Sequence, residues 1–484
     1  MKQDSFIKSL ATIGIGTFIN LIIGFLTTPI ITRLIDPDIY GQFSIFTMYT
    51  SLALIALCFG MDQSLVRFYY RYDKLEYKRR LALECVFLPL ILTVICLTIG
   101  YFLISTGIIR FKFDTNCTIL LSINILLNVV YRFSSLYVRL NHNNALYARL
   151  QIYQKAFYVV FTLVFLRILA LDGMSSLVIA TVISVLFCCV VSIFTQKKYL
   201  PNTDTKIDRS ELKELLSFGY PFIFSMGITS LFQSLDKLSL DYYRTNAEVG
   251  VYSSAMMYIT LFNVIQTSFN TVWAPKASEY YTKNPNDKEI YRKVFNIISL
   301  VMFSAGTTII LFKDLFALIL GPKYREAASI MPFLIFSPIM YAISETTVCG
   351  VNFKKKSIMH IWIALGACSL NFIGNTILVP RIGCKGAAIS TGLSYIMFFI
   401  LRSFFGEKYY HIGFKWNRLI IVCLLTVVLA AYNTFYPFSI ISVIIAVICY
   451  LVIAICYWDT IKLCIELTKE RVLPVLKRRF RNAK

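Results

Sequence analysis

The sequence is built from apolar runs of about twenty residues, and that feature alone leaves few folds open to it. Fourteen runs can be drawn, at roughly 9–32, 43–66, 83–106, 117–139, 150–170, 174–195, 215–240, 249–273, 294–312, 328–351, 358–379, 384–404, 418–435 and 439–458. A hydrocarbon layer of about 30 Å takes roughly 20 residues of helix, because no water is there to satisfy backbone N–H and C=O groups. Across 484 residues 57% are hydrophobic and only 15% charged, with a mean hydropathy of +0.67, far from the balance of a soluble domain. The expectation is an all-α integral membrane protein with about 14 transmembrane helices. The first run is too long for a signal-peptide core and no small-residue cleavage site follows it, so it reads as a retained helix.

The formal charge of +22 could suggest nucleic acid, but its distribution points to a membrane. With the N-terminus placed in the cytoplasm and the loops alternating, 35 of the 48 Lys and Arg fall on the inner side and 11 on the outer. Arg132 and Lys155 lie inside runs. This bias is the positive-inside pattern, and it predicts both termini in the cytoplasm with no nucleic-acid partner. The tail RVLPVLKRRFRNAK, 471–484, mixes apolar and basic residues. It fits equally a solvated topology signal or a segment lying on an anionic leaflet.

The chain also repeats. A shift of 209 residues carries Gly41, Phe43, Ser44, Met48 and Tyr49 onto Gly250, Tyr252, Ser253, Met257 and Tyr258. A shift of 210 pairs Ile179, Thr181 and Ser184 with Ile389, Thr391 and Ser394. Each unit holds six runs, an even number, so both halves enter the membrane in the same direction. The predicted organisation is a six-helix lobe at 1–196, a cytoplasmic linker at 197–214 and a second six-helix lobe at 215–405. Helices thirteen and fourteen follow at 406–458, and a basic cytoplasmic tail at 459–484.

Catalytic chemistry finds little support. The thirteen Cys lie mostly inside apolar runs without metal spacing, as small buried hydrophobes do. The three His, His142, His360 and His411, lie in or near inner loops and suggest neither a metal site nor a Ser-His pair. No G-x-x-x-x-G-K-[ST] loop is present to hold ATP phosphates. No catalytic residue, metal or cofactor is expected.

Three stretches carry a family resemblance: TTPIITRLIDPDIYGQFSIF at 27–46, SLVRFYYRYD at 64–73 and IGCKGAAIST at 382–391. With the doubled six-helix plan they resemble the multidrug/oligosaccharidyl-lipid/polysaccharide exporter superfamily, and within it the polysaccharide, or Wzx-type, flippases. The resemblance implies two lobes forming a V-shaped cleft in the cytoplasmic membrane of a bacterium. It implies alternating access that moves undecaprenyl-pyrophosphate-linked oligosaccharide repeat units from the inner to the outer leaflet. The product would feed O-antigen, capsule or exopolysaccharide assembly, with a polymerase and chain-length machinery as candidate partners beside membrane lipids. Coupling to a proton or sodium gradient or to the membrane potential belongs to the same expectation.

A pyrophosphate carrying sugars crosses hydrocarbon only where cations and hydrogen-bond donors line a wet cleft. Arg132 and Lys155, in adjacent runs at similar depth, are the candidate cations, and Arg suits phosphate because its planar fork binds oxygens in pairs. Asn124 and Asn128 share a face with Arg132 at i, i+4 and i+8, and Asn20 adds a donor in run one. Each of these asparagines serves equally well as a helix-to-helix hydrogen bond. Arg33, near the outer mouth, has no basic counterpart at its repeat position Tyr242, and reads either as a phosphate receiver or an interfacial anchor. Glu345 is the acid placed well inside the second lobe. It is a candidate for coupling or gating, by pairing with Arg132 or Lys155 or by binding a cation or proton; local pairing with Lys354–Lys356 is the alternative. Arg67 and Arg71 read as topology signals. A cation-coupled multidrug exporter of the same superfamily is the main rival reading. A membrane glycan polymerase or ligase is a weaker one, since no large outer loop is available for catalysis.

Overall fold

The computed structural model describes residues 3–200 and 207–467, with side chains from residue 19 onward except those of residues 261 and 467. The tail at 471–484 lies outside the described residues. In chain order the helices are α1 (Gln3–Leu34), α2 (Pro37–Cys58), α3 (Met61–Phe68), α4 (Leu75–Ser105), α5 (Thr115–Leu140), α6 (Asn144–Arg167) and α7 (Gly173–Thr195). A 3-10 turn (Lys197–Tyr199) leads to α8 (Arg209–Tyr243), α9 (Asn246–Lys283), α10 (Glu289–Leu311) and α11 (Lys313–Ala317). After a second 3-10 turn (Pro322–Tyr324) come α12 (Ala327–Leu334), α13 (Phe336–Thr347), α14 (Cys349–Phe353), α15 (Ile358–Tyr409), α16 (Trp416–Phe435), α17 (Ile440–Cys456) and α18 (Trp458–Leu467). No strand occurs among the described residues.

All fourteen apolar runs fall on helices, but not one to one. Among the described residues nine helices are long and apolar enough to cross a membrane, ten if the bent pair Ile440–Cys456 and Trp458–Glu466 counts as one span. α6 and α9 are long helices that stand outside that set because they are more polar. The run at 43–66 is broken: Phe59 and Gly60 take positive φ angles of 51° and 70°, ending α2 and re-aiming the chain into α3. The runs at 358–379 and 384–404 are joined in the 52 residues of α15. At about 1.5 Å per residue such a helix would be far longer than a bilayer is thick. It instead folds back at Ile382 and Gly383, whose dihedrals are non-helical.

That fold-back gives IGCKGAAIST a physical meaning. Gly383 supplies the left-handed turn, with φ 57°. A Cβ at Gly386 would lie 2.6 Å from the carbonyl of Leu378, so only glycine lets the two limbs approach. Ser390 donates to the Asn371 carbonyl at 2.9 Å, and the Asn371 amide donates to Thr391 at 3.1 Å. The motif is the clasp of an antiparallel helical hairpin.

The chain divides into two compact units, one comprising Met1–Asp241 and Thr245–Ser253, the other Tyr242–Arg244 and Ser254–Lys484. In the first, α5 packs on α7, α4 and α2, while α6 lies between α1 and α7. Its core includes Met61, Leu65, Leu81, Cys85, Val129 and Phe133. Val94, Ile99 and Phe102 of α4 are exposed, as suits a lipid-facing surface. In the second unit α13 packs on α10 and α15, and α12 on α15 and α16.

Residues paired by the 209-residue shift meet inside the first unit. Ser44 and Ser253, 209 residues apart, share a hydrogen bond of 2.6 Å. A Cβ at Gly41 would lie 1.8 Å from the Asn246 carbonyl oxygen, and one at Gly250 2.1 Å from that of Pro37. Asn246 and Pro37 are themselves repeat mates, so α2 and the start of α9 cross about a local two-fold, as an isologous contact requires. Pro37 opens α2 at its first position, whereas Gly41 lies inside α2. The sequence suggests Gly41 as part of the helix-breaking turn; its task is instead to let two backbones touch. Gly41→Ala is expected to lower the stability of the solubilised protein by at least about 1–3 kcal/mol through overpacking, read as a lower thermal midpoint. An unchanged midpoint would mean that the helices do not cross this closely.

Candidate functional site

Arg132 sits on α5 and reaches across to α3. Its Nη2 donates to Asp62 Oδ2 at 2.6 Å and its Nε to the same oxygen at 3.1 Å. The Gln63 side chain donates to that oxygen at 3.0 Å. The Asp62 side chain is 5% exposed and that of Arg132 39%, so the acid is the buried anchor and the guanidinium the accessible partner. An arginine has five N–H donors, and this one keeps donors to spare.

The pair forms one wall of a cavity of about 250 Å³, lined also by Ser51, Leu54, Cys58, Phe222 and Met226. At its α3 end the cavity is bordered by a close crossing of α3 with α8. A Cβ at Gly60 would lie 2.0 Å from the Gly219 carbonyl oxygen, and Ser64 donates to the Leu215 carbonyl at 2.6 Å. The rest of SLVRFYYRYD secures this end. Tyr70 donates to the Leu140 carbonyl at 2.7 Å, Tyr69 bonds Asn141, and Arg71 pairs with Glu214 at 2.7 Å.

The other expected residues separate. Asn124 is buried at 1% exposure, and its amide donates to Thr50 on α2 at 3.0 Å. Asn128 donates to the Asn124 carbonyl and side chain at 2.8 and 3.1 Å. Asn124 thus docks α5 on α2 two turns from Arg132, and Asn128 braces Asn124 from one turn away. Lys155 does not line the Arg132 cavity; its ammonium donates to the Asn20 carbonyl at 3.3 Å. Gly24 leaves room for it, since a Cβ there would lie 2.6 Å from Lys155 Nζ. Asn20 Oδ1 is buried beside it without a hydrogen-bond partner among the described residues. Arg33 is exposed in the last turn of α1.

In the second unit Glu345 pairs with Arg402, not with Arg132, Lys155 or Lys354–Lys356. Arg402 Nη1 donates to Glu345 Oε1 at 2.9 Å and to Ser344 Oγ at 2.8 Å. The side chains are 6% and 9% exposed. The Arg402 guanidinium also lies 5.1 Å from the rings of Tyr341 and Phe398. Tyr341 is the repeat counterpart of Arg132, so the second unit brings its cation to that ring from a different helix. Arg402 lies at the very end of the run drawn at 384–404 and is counted with the basic residues of the inner loop that follows; α15 continues to Tyr409 and carries Arg402 inside. Asp62 is missed for a different reason: it sits inside the run drawn unbroken at 43–66, and only the break at Phe59–Gly60 turns it toward Arg132. A glycine followed by an acid within an apolar run was the available signal.

A family model described as polysaccharide biosynthesis protein matches residues 30–329, most of the chain. The protein belongs to this family. An uncharacterized membrane protein of Methanocaldococcus jannaschii is 23% identical over 412 residues, 79% of this chain and 80% of its own length. The probable low-salt glycan biosynthesis flippase Agl15 of Haloferax volcanii is 20% identical over 189 residues, 38% of this chain and 40% of its own. Among solved structures, the inward closed conformation of lipid II flippase MurJ superposes with a TM-score of 0.71 at 14% identity, covering 93% of this chain and 99% of MurJ. An inward-facing multidrug resistance MATE family transporter reaches 0.59 at 16% identity, over 81% and 94% of the two chains. The chain is thus a multi-pass membrane protein of the polysaccharide biosynthesis protein family, with a fold like those of MurJ and the MATE transporter.

Proposed function

We propose that this protein carries undecaprenyl-pyrophosphate-linked oligosaccharide repeat units from the inner to the outer leaflet of a bacterial cytoplasmic membrane, for surface polysaccharide assembly. In this reading fourteen spans, with both termini in the cytoplasm, form six-helix lobes at 1–196 and 215–405 that alternate access. A linker at 197–214 joins them, and 406–458 is an appended helix pair. The observation that carries the proposal is Arg132: a half-exposed guanidinium on a cavity wall, held in place by the buried Asp62. A cation fixed this way at membrane depth suits an anionic, hydrated headgroup, since the phosphate oxygens can take the donors that Asp62 leaves free. Asn124 and Asn128 position α5, while Lys155 with Asn20 forms a second polar station and Arg33 a late phosphate contact. Glu345 with Arg402 is the gating or coupling element, driven by a proton or sodium gradient or by the membrane potential.

The MATE-like fold keeps one rival in view, a cation-coupled multidrug exporter. A guanidinium on the cavity wall repels an organic cation, and its carboxylate neighbour is already engaged, so the anionic cargo is preferred. Purified protein in liposomes is expected to move a fluorescent polyprenyl-pyrophosphate oligosaccharide across the bilayer and not a cationic dye. Dye export without glycan movement would establish the rival.

A further inference from the structure

We propose that the first unit holds an anionic phospholipid in a groove on the far side of α5 from the Arg132 cavity. The groove encloses about 330 Å³ between α4, α5 and α7, with Val86, Phe87 and Leu90 along one wall and Phe133 and Ile193 on the others. Three polar side chains on its lining are already satisfied. Ser134 bonds Ser192 at 2.8 Å, Tyr137 donates to the Lys78 carbonyl at 2.9 Å, and Gln196 accepts from Asn141 at 2.6 Å. What they leave to an occupant is apolar surface, which suits an acyl chain and not a sugar or a peptide backbone.

Charge at the mouth selects the headgroup. The groove runs up to Tyr199 and Leu200, beside the exposed Lys197 and Lys198. Arg79 reaches the same spot, its Nε donating to the Lys198 carbonyl at 3.0 Å. Neighbouring cations at this end are neutralised: Arg71 by Glu214, Lys78 by Asp73 and Arg80 by Glu211. Arg79, Lys197 and Lys198 have no carboxylate partner among the described residues. An apolar slot topped by three cations that lack a carboxylate partner among the described residues matches a phosphodiester whose acyl chain lies at hydrocarbon depth and whose charge stays at the interface. The expected inner-side location of this end places the lipid in the inner leaflet. The site is separate from the proposed cargo cavity and does not depend on the cargo's identity.

The test uses the full-length protein in phosphatidylcholine nanodiscs containing a trace of phosphatidylglycerol with a photoactivatable group on one acyl chain. Crosslinks are expected in peptides covering 82–90 and 193–200, and unlabelled phosphatidylglycerol should suppress them. Neutralising two surface cations in Lys197→Gln/Lys198→Gln should weaken that competition about tenfold or more, from roughly 1 kcal/mol per basic residue near an anionic surface. Both positions are exposed, so the variant keeps its fold, checked by an unchanged thermal midpoint. Equal competition by phosphatidylcholine and phosphatidylglycerol, or an unaffected double variant, overturns the proposal. So does displacement of the probe by a polyprenyl pyrophosphate at a lower concentration than phosphatidylglycerol, which would give the groove to the cargo's own tail.

Discussion

Arg132→Ala is expected to reduce flipping of a pyrophosphate-linked oligosaccharide by roughly 30- to 150-fold, the effect of losing a charge-assisted contact worth about 2–3 kcal/mol. Part of any loss could come from Asp62, whose buried carboxylate would be stranded when its partner at 2.6 Å disappears. Arg132→Lys separates the two causes. It keeps the positive charge beside Asp62 but loses the planar fork, so stability should hold while cargo recognition still falls by about tenfold. The measurement is the initial flipping rate at several cargo concentrations in liposomes, alongside the thermal midpoint of each variant. Should both variants transport normally once shown to be folded, Arg132 has no part in cargo recognition and the proposed function loses its main support.

Arg402→Ala is expected to be the most destabilising change in the second unit. It leaves Glu345, 9% exposed at its side chain, without the cation 2.9 Å away, and breaking a buried ion pair from one side costs about 3–5 kcal/mol. The stacking of the guanidinium against Tyr341 and Phe398 would be lost as well. Replacing both partners, as Arg402→Met with Glu345→Gln, should restore much of that stability, because no uncompensated charge remains inside. Unfolding of the four members of this cycle in detergent measures the coupling directly. The same double variant then probes function: if the pair serves coupling or gating, the refolded protein should be stable yet insensitive to an imposed ion gradient. A double variant that is both stable and fully responsive would reduce the pair to packing.

The two arginines show how unevenly such a site is written in the sequence. Arg132 stands out because a cation in the middle of an apolar run needs a reason to be there. Its partner could not be read the same way: Asp62 lies 70 residues earlier, beyond a helix break marked only by Gly60. Arg402 was hidden by a boundary, since helix ends are the least certain part of a hydropathy reading. Asn124 and Asn128 were legible as a polar stripe with Arg132, but not the direction they serve. The Asn124 amide donates to Thr50 and the Asn128 amide to Asn124, and no spacing rule distinguishes a cleft from a neighbouring helix.

By itself the sequence determined the solvent and the secondary structure, and it suggested a doubling of the chain. Backbone groups in hydrocarbon must be satisfied locally, so apolar runs of this length can only be helices. A shift of 209 residues connects Ser44 to Ser253, and in the folded chain those two residues touch. Only the tertiary structure decided which charge meets which: Arg132 with Asp62, and Glu345 with Arg402. The reason is that periodicity along one helix sets a side chain's face, whereas its partner depends on helix breaks such as Phe59–Gly60 and on glycine contacts that set how closely two backbones approach.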